Sequence, residues 1–190
     1  MREILITERT FLRPFAPGDY KDVCKIMQDP EVMYAYEHAF EPSEVKEWME
    51  KQFDSYDTSN VGLMAVIDKE TDDFLGQAGL TIQKIGDVDV LEIGYLFNKK
   101  FWHNGYATEA AIALKDFAFE KLGAEWVYSI IRDTNIPSQK VAERVGMTVE
   151  GQIVKNYYNM QMPHLVYSIQ KPEIPKAAEE PAEEASDAKK

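Results

Sequence analysis

The sequence predicts a mixed α/β domain built around a mostly antiparallel sheet, and three observations carry that reading. The hydrophobic period switches repeatedly between two and 3.6 across residues 1–170. Three consecutive strand candidates are joined by loops too short to hold a crossover helix. The 190 residues, 45% apolar and 12% aromatic, suffice for one core of ordinary size. The resulting order is strand, two helices, three strands, helix, strand, helix, two strands, with no internal repeat.

Residues 5–13 read as the first strand, stopped by Pro14 and the Pro17-Gly18 turn. From Asp19 a helical stripe of Tyr20, Val23, Cys24 and Met27 runs to Pro30. A second helix starts near Pro42-Ser43, with Val45, Trp48, Met49 and Phe53 on its apolar face. Residues 61–67, 74–83 and 88–97 form the strand meander. From Tyr106 to Leu122 a small-residue stripe of Ala107, Ala110, Ala111, Leu114, Ala118 and Leu122 predicts a helix stopped by Gly123. Residues 126–132 are a strand, a helix follows from about Pro137 to Gly146, and residues 147–154 and 162–170 close the sheet. The final twenty residues hold three prolines and no aromatic side chain, so they are expected to form a disordered acidic tail, residues 171–190, behind one domain, residues 1–170.

The formal charge of −12 argues against a nucleic-acid partner, because phosphate affinity needs a concentrated basic surface. Much of the charge is local: the segment from Glu37 to Asp57 holds seven acids and two lysines. The single cysteine, Cys24, precludes an intramolecular disulfide and sits on a helical stripe as a small core residue. The first residues lack the apolar run of a signal peptide, and no stretch reaches the roughly 18 apolar residues of a membrane span. A cytoplasmic protein without a membrane partner is expected. The three histidines, His38, His103 and His164, show no metal spacing; His38 and His164 read as solvated or hydrogen-bonded loop residues.

The segment LEIGYLFNKKFWHNGYATEA, residues 91–110, is the most informative. A strand runs into a polar loop and a small-residue helix begins inside it. Free amides at a helix start, with Gly105 and Ala107 keeping bulk away, describe an anion site. They also describe a tight strand–helix turn. Lys99, Lys100 and His103 are expected to add a positive patch. The loop is neither a Walker A sequence nor a dinucleotide fingerprint.

Taken with Thr7-Glu8-Arg9-Thr10-Phe11-Leu12-Arg13-Pro14, Asp29-Pro30-Glu31-Val32, Glu92-Ile93-Gly94-Tyr95, Asn135-x-x-Ser138, Val145-Gly146-Met147 and Glu150-Gly151, residues 7–170 resemble the GNAT superfamily of acetyl-CoA-dependent N-acetyltransferases. Within it they resemble the RimJ/RimL-like ribosomal-protein N-terminal acetyltransferases. The resemblance implies a seven-stranded, mostly antiparallel twisted sheet with about four helices and a splayed fourth strand. It further implies that the amides of His103, Asn104, Gly105, Tyr106, Ala107 and Thr108 hold the pyrophosphate of acetyl-CoA. Leu96 and Phe97 fall where the backbone bonds the pantetheine arm, and Asn135 falls where a side chain contacts that arm.

Direct attack of an amine on a thioester needs a base, donors for the carbonyl and an acid for the thiolate. Glu92 is the candidate base, through water, or else a polar residue or ion-pair partner in a strand. The position where many relatives carry an acidic tyrosine is Ala142, which leaves Ser138 as the candidate acid or else a helix-start hydroxyl bonded to a backbone amide. The late glutamate of RimL-like enzymes aligns with Asn156 or Tyr157, and Tyr157 and Tyr158 are candidates to line the acceptor pocket. The expected activity is acetyl transfer from acetyl-CoA, with no metal, to a protein N-terminal amine or a small cationic amine. The acidic second helix is expected to border the acceptor cleft. The alternative is a CoA-binding regulatory or interaction module. Self-association through a late strand would make a homodimer.

Overall fold

The computed structural model describes residues 4–36, 38–157 and 160–173. The predicted tail lies mostly outside them. Eight strands form one sheet in the order β1-β2-β3-β4-β5-β6-β8-β7: β1 Leu5–Ile6, β2 Thr10–Arg13, β3 Leu63–Asp68, β4 Phe74–Ile85, β5 Val88–Phe97, β6 Trp126–Arg132, β7 Thr148–Tyr157 and β8 Met160–Gln170. Every neighbouring pair is antiparallel except β5 with β6. The helices are α1 Tyr20–Met27, α2 Pro42–Thr58, α3 Tyr106–Glu120 and α4 Ile136–Val145. Among the described residues no helix is long and apolar enough to cross a membrane.

The count is eight rather than the predicted seven because residues 5–13 fold back on themselves. Leu5 pairs with Leu12 and Ile6 with Phe11. The Thr7 hydroxyl accepts from the Thr10 amide at 3.0 Å, and the Thr7 amide donates to the Thr10 carbonyl at 2.9 Å, so a threonine closes the turn. The strand expected to splay as the fourth is therefore β5.

Alternation along the strands sends apolar side chains to both faces, and helices cover both. One core holds Val23 and Met27 of α1, Val45 and Met49 of α2, and Ala65 and Ile67 of β3. The other holds Ala110, Ala111 and Leu114 of α3, Val141 and Val145 of α4, and Leu80 and Ile93 of the sheet. The small stripe of α3 lets that helix lie close to the strands. α2 begins with a capping box in which Glu44 accepts from the Glu41 amide at 2.8 Å.

Two features set up the site. β5 meets β6 at one registered pair, Glu92 with Tyr128. Beyond it β5 stays on β4, with Leu96 opposite Gln77 and Phe97 opposite Gly76, while its other side faces an open cleft. Gly76 is required there: a Cβ would meet the Leu96 carbonyl oxygen at 2.5 Å and Phe97 Cα at 2.7 Å.

Candidate active site

The open seam between β5 and β6 leads into a cleft of about 1310 Å³ bounded by the β5 end, the start of α3 and the start of α4. Of the nine residues expected to touch the cofactor, eight line it: Leu96, Phe97, His103, Gly105, Tyr106, Ala107, Thr108 and Asn135. Asn104 does not. Its side-chain amide turns inward to the carbonyls of Trp102 (3.0 Å) and Phe101 (3.3 Å) and closes the loop.

The loop is built for a helix start. Gly105, the N-cap of α3, has φ +82, the left-handed region that glycine enters without steric cost. The first intrahelical bond runs from the Glu109 amide to the Gly105 carbonyl, so the preceding amides lie ahead of the helical ladder. The Trp102 indole anchors the loop by donating to the Phe97 carbonyl at 2.8 Å.

The β1–β2 hairpin clamps this loop. The Glu109 carboxylate accepts from the Thr7 hydroxyl (2.6 Å), the Arg9 amide (2.7 Å) and Arg9 Nε (2.7 Å). Arg9 also donates to the Asn104 carbonyl at 2.9 Å and lies 4.5 Å from the Tyr106 ring centre. Burial pushes the Glu109 carboxyl up, but the bonds from Thr7 and Arg9 outweigh it and hold the group below its ordinary value.

The positive patch differs from expectation. Lys99 pairs with Glu31, and Lys100 reaches Asp73 at 4.0 Å and lies over the Phe101 ring, so both lysines turn away from the cleft. Its cations are instead Arg9, Lys140 and Arg144. Lys140 and Arg144 stand one turn apart on the polar side of α4, a spacing visible in the sequence without pointing to the cleft.

A second cavity of about 510 Å³ lies on the α1–α2 side of the sheet. Tyr95, Leu96, Asn135 and Ser138 line both spaces, so the two meet at the seam. Register explains its polar floor: Gln77 and Thr81 of β4 share a face with Leu96 and Glu92 of β5, continued by Arg132, His164 and Lys155. From α2 only Trp48 and Gln52 reach it, so the acids of that helix do not line the cavity.

Glu92 sits at the seam. It accepts from the Ile130 amide across the gap at 3.1 Å and from the Thr81 hydroxyl at 3.1 Å. The residue keeps some exposed surface toward the cavity, while the carboxyl lies deep in protein. That burial raises its pKa, opposed by Lys155 and the two hydrogen bonds. Among the described residues Glu92 forms no ion pair at hydrogen-bond distance, and its two bonds are those of a polar strand residue.

Helix α4 is capped by Asn135, whose Oδ1 accepts from the Ser138 amide at 3.2 Å and from the Tyr34 hydroxyl at 2.7 Å. The cap is thus Asn135, not the Ser138 hydroxyl. The Ser138 carbonyl accepts from Tyr95 at 2.9 Å, and burial pushes the Tyr95 phenol up. Ala142 is fully buried in the core. Tyr34 and Tyr95 are site residues that sequence reasoning gave no role, although Tyr95 belongs to the Glu92-Ile93-Gly94-Tyr95 motif.

His164 departs from the loop expectation. It lies buried in β8, its Nδ1 2.8 Å from the Met162 carbonyl oxygen, and burial lowers its pKa. Tyr158 and the Tyr157 side chain, candidates for the acceptor pocket, lie outside the described residues.

The geometry of cleft and seam agrees with comparisons to known proteins. Residues 9–148 match the acetyltransferase (GNAT) domain. YkkB of Bacillus subtilis, an uncharacterized protein, is 35% identical over 144 residues, covering 75% of this chain and 84% of YkkB. An acetyltransferase from Agrobacterium tumefaciens superposes with a TM-score of 0.76 at 27% identity, over 89% of this chain and 95% of that one. A RimL ribosomal L7/L12 α-N-protein acetyltransferase in complex with coenzyme A shares the fold at 15% identity and a TM-score of 0.73, over 88% of this chain and 98% of that one. Fold, seam, glycine-started helix and sequence match converge: the chain belongs to the GNAT family of acetyltransferases.

Proposed function

We propose that the protein transfers an acetyl group from acetyl-CoA to a primary amine within a ternary complex, without a covalent enzyme intermediate. The observation that carries this reading is the meeting of two cavities at one seam, with Leu96 and Ser138 on the shared wall and Glu92 below it. The large cleft suits a nucleotide thioester: the amides of His103 and of residues 105–108 would take the pyrophosphate, Arg9, Lys140 and Arg144 its charge, and the backbone at Leu96 and Phe97 the pantetheine arm. Acetyl-CoA supplies the activated carbonyl.

In this reading the amine enters from the smaller cavity. Glu92 takes the ammonium proton through water, and the rise that burial gives its pKa makes it a stronger base than an exposed carboxylate. The amine nitrogen bonds the carbonyl carbon, the carbon–sulfur bond breaks, the Ser138 hydroxyl protonates the departing thiolate, and the second proton shed by the attacking nitrogen passes through water to restore the Ser138 hydroxyl. The resemblance to the RimJ/RimL-like group supports a protein N-terminal amine among acceptors, while Asn156 in place of a late carboxylate speaks for a different acceptor specificity. The test is thiol release from acetyl-CoA across amines, N-terminal peptides and aminoglycosides. Turnover of any of them supports transfer. Tight CoA binding without turnover of any amine would favour the second reading, a CoA-binding module, which the burial of Ala142 in place of an acidic tyrosine motivates.

A further inference from the structure

The smaller cavity holds more unmet hydrogen-bonding capacity than a passage for a simple amine requires. Gln77 is 3% exposed and its Oε1 has no hydrogen-bond partner. Arg132 Nε is likewise buried and unpartnered, while its Nη1 makes only long bonds to the carbonyls of Tyr34 (3.3 Å) and Tyr36 (3.5 Å). The Lys155 ammonium is half-buried and close enough to Glu92 to oppose the rise in its pKa, yet it forms no ion pair among the described residues. Buried polar groups left unpaired forfeit their hydration without return, so an arrangement of this kind is expected where a ligand completes it.

Their chemistry has a direction. Glu92 and Gln77 offer acceptor oxygens on β4 and β5, where an ammonium or amine would bond. Arg132 and Lys155 offer donors on β6 and β7, where an anion would bond. Burial lowers the pKa of His164 between them. With one carboxylate against two cations, the described lining is unfavourable for a polycation, and the acids of α2 do not compensate because they lie elsewhere. Phe40, Trp48 and Met162 supply an apolar wall.

Resting on the acetyl-transfer reading above, we propose that the acceptor is a small amino carboxylate with an apolar side chain. Its amine lies toward Glu92 and Gln77, and its carboxylate is held by Arg132 and Lys155. A carboxylate held by an ammonium and a guanidinium makes charge-assisted bonds, which give specificity mainly through the penalty of leaving them unmade.

The experiment compares matched pairs at saturating acetyl-CoA: methionine against 3-(methylthio)propylamine and phenylalanine against 2-phenylethylamine, with spermidine and an N-terminal peptide alongside. The amino acid of a pair is expected to exceed its decarboxylated partner in kcat/KM by about tenfold or more. Lys155→Met should raise KM for the amino acid and lower its kcat/KM at least about fivefold more than that of its decarboxylated partner, since any effect passed through Glu92 falls on both members alike. Equal or better turnover of the decarboxylated amines, spermidine or the peptide overturns the proposal while leaving acetyl transfer intact, as does a Lys155→Met effect equal on both members of a pair. If no amine turns over, calorimetric titration of both pair members into the CoA complex still decides. Tighter binding of the amino acid, lost in Lys155→Met, supports the pocket, and equal or weaker binding refutes it.

Discussion

Glu109→Ala should loosen the cofactor loop and the fold together, because one carboxylate ties the β1–β2 hairpin to the first turn of α3. The substitution removes the bonds from the Thr7 hydroxyl, the Arg9 amide and Arg9 Nε. A net protein hydrogen bond is worth about 1 kcal/mol. The guanidinium bond is discounted to about 0.5 kcal/mol, since Arg9 is 43% exposed and screened. Loss of a negative charge from the first turn of a helix costs about 0.3–1 kcal/mol more. The expected loss is about 3 kcal/mol, or roughly 6–12 °C in Tm for a domain of this size. The pH dependence has a definite sign. The folded pKa of Glu109 lies below the ordinary 4.5, so its contribution is fully present above that value and lost as pH falls through the folded pKa. Urea unfolding followed by tryptophan fluorescence should show the gap between parent and variant at pH 7 narrowing below pH 4.5. CoA affinity, measured by calorimetry, should fall on the order of tenfold as the loop loses its clamp. A Tm change under about 1 °C, a gap that does not narrow in acid, or an unchanged Kd for CoA would refute the clamp.

Glu92→Gln keeps the Ile130 bond through its amide oxygen, with the Thr81 hydroxyl then accepting from its amide nitrogen, but removes the base, so kcat should fall about 10²- to 10⁴-fold without loss of Tm. Because burial raises the folded pKa of Glu92 above 4.5, its ionisation costs stability as pH rises from 4.5 through the folded pKa, and the Gln variant should gain relative to the parent as pH rises above 4.5; activity within about twofold of the parent excludes Glu92 as the base. Lys99→Met with Lys100→Met should leave the Kd for CoA within about twofold, whereas Lys140→Met with Arg144→Met should weaken it and flatten its salt dependence, as titrations at two ionic strengths would show. Gly76→Ala should destabilise by about 1–3 kcal/mol and weaken CoA binding, since its methyl group displaces the backbone of Leu96 and Phe97; unchanged Tm and Kd would show that the strand yields without cost.

Local pattern made some elements readable and left others hidden. β6 coincides with its predicted residues, because β-branched and aromatic side chains fill it between turn signals. Helix α3 was legible in its alanine stripe, and the candidate loop in Gly105 at its start. The fold-back inside residues 5–13 was not, since Thr7 turns the chain through its own hydroxyl without a glycine or proline. Pro163 lies inside both the predicted strand and β8, which tolerates it because β6 stops at Arg132 and the Asp133 amide donates to the Pro163 carbonyl at 3.1 Å. The fate of Lys99 and Lys100 depended on Glu31 and Asp73, far away in sequence. Arg132, His164 and Lys155 come together only through the register of β6, β8 and β7. Sheet register is a long-range property that local periodicity does not encode.

The sheet is thinnest where β5 leaves β6, and side chains supply much of the joinery there. Glu92 bonds the Ile130 amide, and Ser129 donates to the Ile93 carbonyl at 2.9 Å. Tyr95 ties β5 to the first turn of α4. Two strand assemblies, β1–β5 on one side and β6, β8 and β7 on the other, are thus riveted by groups that also stand beside the candidate reaction space. A substitution at any of these positions acts twice over, on mechanics and on chemistry. An alanine scan would confound the two, whereas isosteric replacements that keep each rivet and alter only its acidity can separate them.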